Sequence, residues 1–126
     1  MPASRTKTLS LDDFFAGQAA SRRIHRAVAR AVRAAGPAEM RVTGSQVAFR
    51  RKRAFAWTWI PGRYLSGDRP PLVLSVALRR RDRSPRWKQV VAPKPGRFMH
   101  PLELATAADV DDQVAKWIGE AWAAAE

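Results

Sequence analysis

The segment MRVTGSQVAFRRKRAFAWTWI, residues 40–60, decides the fold because its apolar side chains recur with a period of two. This period is typical of β-strands that bury one face. It predicts short strands at Met40–Thr43 and Gln46–Arg50 around the turn Gly44-Ser45, then a basic turn and a third strand at Ala54–Ile60.

Three later segments complete the predicted sheet: Pro70–Leu78, Trp87–Val91 and Arg97–Leu104. The first of them is apolar at nearly every position, as expected of a central strand with both faces buried. A turn at Pro93–Gly96 is expected to separate the other two.

The segments on either side of the sheet have helical signals. Ala19–Ala35 carries its apolar side chains on one arc of about 100°, and Gly36-Pro37 ends it. A capping box at Thr106–Asp109 predicts the start of a final helix, and Ser10–Gly17 predicts a short capped turn. The fold class expected is therefore α+β: an N-terminal helix, an antiparallel β-meander of about five to six strands and a C-terminal helix, with the helices packed on one face of the sheet.

The size of the chain fits one such unit. It has 126 residues, close to the usual length of one domain. Residues 1–9 are expected to form a flexible basic tail, and residues 10–126 a single α+β domain. The sequence has no cysteine and no apolar stretch as long as a membrane span, so a cytoplasmic protein without a membrane partner is expected.

Charge is the strongest functional signal. Lys and Arg number 23 against 11 Asp and Glu, a formal net charge of +12, which favours an anionic partner such as nucleic acid or another polyanion. Arginines form three clusters: one face of the first long helix, the turn after residue 49 and the loop after residue 78. The residues predicted to bind nucleic acid without reading its sequence are Arg22, Arg26, Arg30, Arg33, Arg50, Arg51, Lys52, Arg53, Arg79, Arg80, Arg81 and Trp87.

Two tryptophans on one strand allow two interpretations. Trp57 and Trp59 are two residues apart, so both lie on one face of the strand. Because large aromatic side chains bury the most area, we expect this face to be the core face on which both helices pack. The alternative is a platform on which bases stack, as on sheets that bind single strands.

The sequence contains no recognised catalytic motif, so an enzyme is not the favoured interpretation. His25 and His100 are expected to be packed or surface residues, and neither a metal site nor a cofactor is predicted. An alternative function is ligand binding or catalysis in a pocket between sheet and helices, lined by Ser45, Gln46, Tyr64, Trp87 and His100. A third is protein–protein association through a sheet edge.

Two separated motifs resemble a known family. They are the run RVTGSQVAFRRKRAFAW at residues 41–57, and GRFMHPLEL at residues 96–104 followed by Asp109-Val110-Asp111. Both are similar to motifs of an uncharacterised bacterial family, domain of unknown function 5655, and the resemblance extends from about Phe14 to Trp122. It implies a small α+β domain and brings no catalytic residues, since the family has no established activity.

Overall fold

The computed structural model describes residues 10–63 and 65–126, so the predicted tail at residues 1–9 lies outside the described residues. The described residues form three α-helices, α1 (Leu11–Phe14), α2 (Ala19–Ala35) and α3 (Asp112–Ala124). Six strands of this part of the chain form one sheet: β1 (Glu39–Val42), β2 (Val47–Arg50), β3 (Ala54–Trp59), β4 (Leu72–Leu78), β5 (Val91–Lys94) and β6 (Arg97–Leu104). The α+β fold class is therefore confirmed.

The sheet is antiparallel throughout, with strand order β1-β2-β3-β4-β6-β5. The first four strands follow the predicted meander, whereas β6 lies between β4 and β5. The burial of the two strands explains this order. All four residues of β5 are exposed, whereas β6 is eight residues long and buries alternate side chains. The strand with apolar side chains to bury thus pairs with the central strand β4, and the polar strand forms the edge.

The predicted strand at Trp87–Val91 is wrong. Trp87 makes only an isolated bridge to Leu102, and the regular strand β5 begins at Val91 and continues to Lys94, into the expected turn. The side chain of Trp87 is held by contacts with distant residues, described below, and these override the local strand pattern.

The start of the last helix also differs from the prediction. The capping box of Thr106 and Asp109 is present, but it opens a short 3-10 turn at Ala107–Asp109. Val110 is not helical, with φ −84° and ψ 75°, so α3 begins at Asp112. Its N-cap is Asp111, whose carboxylate accepts a hydrogen bond of 3.1 Å from the Val114 amide.

The two longer helices pack side by side on one face of the sheet. Gly36, which ends α2, allows close packing because the Trp122 ring of α3 occupies the space that a Cβ would need. The Trp122 indole also donates a hydrogen bond of 2.8 Å to the Pro37 carbonyl. The core between the layers contains β-strand residues of one face only, including Leu72, Leu74, Val76 and Leu78 of β4.

The expectation that Trp57 and Trp59 face the helices is wrong. The register of β2 and β3 shifts between Phe49 and Arg50, which leaves Phe55 as an extra residue on β3. Phe55 therefore joins Ala56 in the core cluster. The two tryptophans lie on the opposite face of the sheet, on which none of the described helices packs, and we call it the helix-free face. Neither belongs to the core cluster, and Trp59 is 40% exposed.

Candidate nucleic-acid interface

Three connections of the chain meet at one end of the sheet. They are the β2–β3 turn, the end of β4 and the β5–β6 turn, which the antiparallel order brings together. They surround a cleft of about 340 Å³ that we call the cationic cleft, formed by Arg53, Arg79, Lys94 and Arg97. None of the described residues that line it is acidic, and its floor includes Phe55 and residues near the end of α3.

Two of these four cations are held in place and two are available. Arg79 donates a hydrogen bond of 3.0 Å to the Ala124 carbonyl, and Arg97 donates one of 3.2 Å to the Ala54 carbonyl. Each guanidinium has five N–H donors, so most donors of both groups stay available for an anion. Arg53 and Lys94 are exposed, and neither side chain has a hydrogen bond or ion pair to any described residue. The cleft thus combines donors fixed by carbonyl contacts with exposed charges that have no described partner.

The neighbouring Arg51 serves the fold instead. Its guanidinium carbon lies 3.7 Å from the centroid of the Trp122 ring, and it donates a hydrogen bond of 3.2 Å to the Trp122 carbonyl. The Lys52 amide donates to the Ala125 carbonyl at 3.1 Å. These donors satisfy carbonyls at the negative end of α3. Of the turn predicted to bind phosphate, Arg50, Lys52 and Arg53 keep side chains without a described partner.

In the loop after β4, carboxylates neutralise part of the positive charge. We call residues 80–87 the braced loop. Arg80 binds Glu120 through two hydrogen bonds of 2.8 Å and Asp82 through one of 2.7 Å, which together raise the pKa of Arg80 above its ordinary value. Arg81 donates to the Val90 carbonyl at 3.2 Å. Arg80, predicted as a phosphate contact, is therefore paired inside the domain, whereas Arg81, like Arg79, donates one hydrogen bond to a carbonyl and has no carboxylate partner among the described residues.

Asp82 organises the braced loop. Its carboxylate accepts hydrogen bonds from the Trp87 indole at 2.8 Å and the Ser84 amide at 3.0 Å, besides the one from Arg80. Partial burial alone would raise the pKa of Asp82, but these hydrogen bonds outweigh it and lower the pKa to about 2. The Trp87 ring lies 4.1 Å from that of Trp117 on α3, between centroids. Trp87 is only 7% exposed, so it supports the loop and is not accessible to nucleic acid.

Both histidines are neutral and buried. His100 Nε2 accepts a hydrogen bond of 3.0 Å from the Asp82 amide, so Nδ1 carries the proton and donates to the Phe98 carbonyl at 3.0 Å. His25 Nδ1 lies 2.9 Å from the Thr58 hydroxyl. Burial, together with the charge of Arg22, lowers the pKa of His25 to about 4. No group of described residues could hold a metal ion.

The helix stripe lies on α2, and none of its arginines lines the cationic cleft. Arg26, Arg30 and Arg33 are exposed on the solvent side of α2, without a described ion pair, whereas Arg22 pairs with Asp12. Since α2 packs on the face of the sheet opposite Trp57, the stripe and the tryptophans cannot contact the same short ligand.

The residues of the predicted ligand pocket are not brought together. Ser45 is exposed in the β1–β2 turn, Gln46 lies on the helix-free face, and Tyr64 lies outside the described residues. His100 and Trp87 are buried beneath α3, where the core cluster fills the space between sheet and helices. The edge strands are four residues each, and β5 carries proline and lysine, which disfavour pairing through that edge.

The helix-free face adjoins the cationic cleft. A shallow depression of about 140 Å³ on this face is lined by Gln46, Trp57, Trp59, Ser75 and Met99. The guanidinium carbon of Arg97, a cleft residue, lies 5.7 Å from the centroid of the Trp57 ring. This distance is within the range of a cation–π contact, so one side chain belongs to both regions.

The family model of a domain of unknown function, DUF5655, matches residues 11–125. The chain belongs to this family. No curated protein and no solved structure matches it. The DUF5655 assignment confirms the resemblance carried by the two motifs, and the family description names no activity. None of the described helices is both long and apolar enough to cross a membrane.

Two cleft residues of this DUF5655 domain were missing from the sequence prediction. Lys94 and Arg97 flank the turn Pro95-Gly96. A single pair of cations on either side of a turn is a weak signal beside the runs of consecutive arginines. A signal was nonetheless present, because residues on the two sides of a tight turn lie side by side in a hairpin. Their nearness to Arg79 depends on β6 pairing with β4, which sequence reasoning did not provide.

Proposed function

We propose that this DUF5655 domain binds nucleic acid without sequence specificity, with the phosphate backbone lying in the cationic cleft. The observation that carries the proposal is the convergence of Arg53, Arg79, Lys94 and Arg97 around a cleft that has no acidic residue among its described lining. Side chains of this kind bind phosphate oxygens and position the nucleic acid, but these contacts carry no information about base sequence.

The available charge supports a polymer rather than a single small anion. Beyond the cleft, Arg50 and Lys52 extend the cationic surface along the β2–β3 turn, without described side-chain partners. The formal net charge of +12 adds a long-range attraction for polyanions. A phosphate backbone presents charges at regular intervals and can contact several of these cations at once, releasing counterions at each contact.

The proposal is tested by fluorescence anisotropy of a labelled oligonucleotide titrated with the full chain between roughly 50 and 200 mM salt. We expect binding that weakens steeply with salt. The double variant Arg53→Gln/Lys94→Gln should lower the affinity by about tenfold or more. It should also reduce the slope of log affinity against log salt by about 1.5, since each phosphate contact contributes roughly 0.7–0.9.

The matched control is Arg26→Gln/Arg30→Gln on the helix stripe. It removes the same formal charge from exposed side chains that also have no described ion pair. We expect its slope to stay near that of the unchanged protein. Equal losses in the two double variants would show that net charge alone attracts the polymer, and no binding at the lowest salt would overturn the proposal itself.

A further inference from the structure

The helix-free face of the sheet indicates which kind of nucleic acid binds with its backbone in the cationic cleft. This inference rests on the proposed function, because it assumes that nucleic acid binds there. We infer that the ligand is single-stranded, with its backbone in the cleft and neighbouring bases stacked on Trp57 and Trp59. Two tryptophans on a sheet face where no described helix packs are the residues best able to bind the flat faces of unpaired bases.

The register of the sheet leaves both rings accessible. Trp57 pairs with Ala48 on one side and Ser75 on the other, and Trp59 pairs with Val73. None of these neighbours is large enough to cover an indole ring. Trp59 is consequently 40% exposed, so part of its ring is accessible to a ligand.

The aromatic face is continuous with the cleft. β3 begins at Ala54, a lining residue of the cleft, and runs from there through Trp57 to Trp59. Arg97 lines the cleft and lies 5.7 Å from the Trp57 ring centroid. A single-stranded nucleic acid whose phosphates contact Arg97 can therefore place its next bases over the two indole rings.

The spacing of the rings excludes a duplex as the stacking ligand. Residues two apart on a strand are separated by about 7 Å. Adjacent bases in a duplex are stacked about 3.4 Å apart along the axis and present only their edges. Bases that occupy both Trp57 and Trp59 must be unpaired and pulled apart, which only a single strand permits.

The charges around the platform complement a phosphate backbone. Arg41 pairs in register with Ala48, the neighbour of Trp57, so a further cation borders the platform on β1. The acid Glu39 on this face is on the edge strand β1. Glu103 pairs in register with Val73, the neighbour of Trp59, so an acid also borders the platform, and it lies 3.8 Å from the ammonium group of Lys88.

The inference is tested with an oligothymidine of about 12 nucleotides, the corresponding oligouridine and a duplex of equal length, titrated by anisotropy and by intrinsic tryptophan fluorescence. This length is within the usual site sizes of ~4–16 nucleotides. We expect tighter binding of the single strands, with quenching of tryptophan emission. Trp59→Leu, which keeps an apolar side chain, should weaken single-strand binding by about 5- to 150-fold and reduce the quenching. Duplex affinity and the salt slope should not change.

Rescue by Trp59→Tyr separates stacking from a structural effect, because tyrosine restores an aromatic face. Thermal unfolding of each variant verifies that the fold persists, and Trp57→Leu repeats the test at the second ring. Equal affinity for single strands and duplex, or unchanged single-strand affinity in both leucine variants, would overturn the inference while the cleft proposal stands. Absence of binding to every probe would overturn both.

Discussion

The cationic cleft and the braced loop are both rich in arginine, yet they use it in opposite ways. In the braced loop, Arg80 has two carboxylate partners, Glu120 and Asp82. In the cleft, Arg53 and Lys94 have no described carboxylate partner. The two regions adjoin at Arg79, which follows the last residue of β4 and lines the cleft.

The difference shows that the placement of acids, not the density of bases, separates a structural arginine from one available to a ligand. Arg86, also in the braced loop, binds both carboxylate oxygens of Asp111 at 3.0 Å. Most acids that neutralise the loop come from α3 or its N-cap, so the acidic C-terminal segment acts as an internal counterion for one basic cluster. We expect the loop to determine stability and the cleft to determine binding.

The largest expected effect is on stability, from Trp87→Ala. The change removes the packing of the Trp87 ring on Trp117 and the hydrogen bond to Asp82, and it leaves a cavity. We expect the free energy of unfolding to fall by about 3–5 kcal/mol, measured by urea denaturation. Lys94→Ala in the cleft is the comparison, and it should stay within about 0.5 kcal/mol. A similar loss in both variants would remove the distinction between the two regions.

A smaller loss of stability is expected from Asp82→Asn. An amide offers one acceptor oxygen where the carboxylate accepts from Trp87, Ser84 and Arg80, so a donor is left unpaired at a cost of about 1–3 kcal/mol at neutral pH.

The pH dependence of that variant checks the cause. The folded pKa of Asp82, about 2, is below the ordinary 3.8, so its stabilisation is complete above pH 3.8 and is lost as the pH falls towards 2. His25, with a pKa of about 4 instead of 6.5, loses its contribution in a higher window, as the pH falls from 6.5 to 4. Urea midpoints across both windows should show that Asp82→Asn flattens only the lower one. Flattening in the upper window would contradict the assignment.

The smallest effect is expected from Glu120→Gln. This change leaves an arginine of the braced loop with fewer carboxylate partners, which makes it more like the unpaired cations of the cleft. Removing this carboxylate leaves Arg80 paired with Asp82 alone. We expect nucleic-acid affinity at low salt to rise about twofold, with a salt slope steeper by less than one phosphate contact, about 0.7. Anisotropy titrations measure this rise. Asp112→Gln, an exposed position at the start of α3, removes the same charge and serves as the control, since it has no described ion pair. Equal rises in both variants would indicate a general charge effect.

Much of the fold was predictable because its signals are local. The helical period and Gly36 predicted α2 with its observed ends, and the period of two predicted the first four strands to within two residues. The errors occurred where distant contacts override local pattern. Trp87 is held by Asp82 and Trp117 rather than by a strand ladder, and the bulge at Phe55 reverses the faces expected for the tryptophans.

The candidate site was less predictable than the fold. The arginine runs of the sequence include two residues that line the cleft, Arg53 and Arg79. The same runs also include Arg51 and Arg80, whose guanidinium groups bind other residues of the domain. Nothing in the local sequence distinguishes these pairs, because their partners are far along the chain. Arg51 and the Trp122 carbonyl are 71 residues apart, and Arg80 and Glu120 are 40 apart.

Fold class, family and the excess of positive charge could be predicted from the sequence, because periodicity, capping residues, motifs and composition are properties of neighbouring residues or of totals. Which cations stay unpaired, and which face of the sheet carries no described helix, depends on tertiary contacts. Neutralisation and burial follow from which distant side chains meet, and here the pairing of β6 with β4 and the packing of α3 determine that outcome.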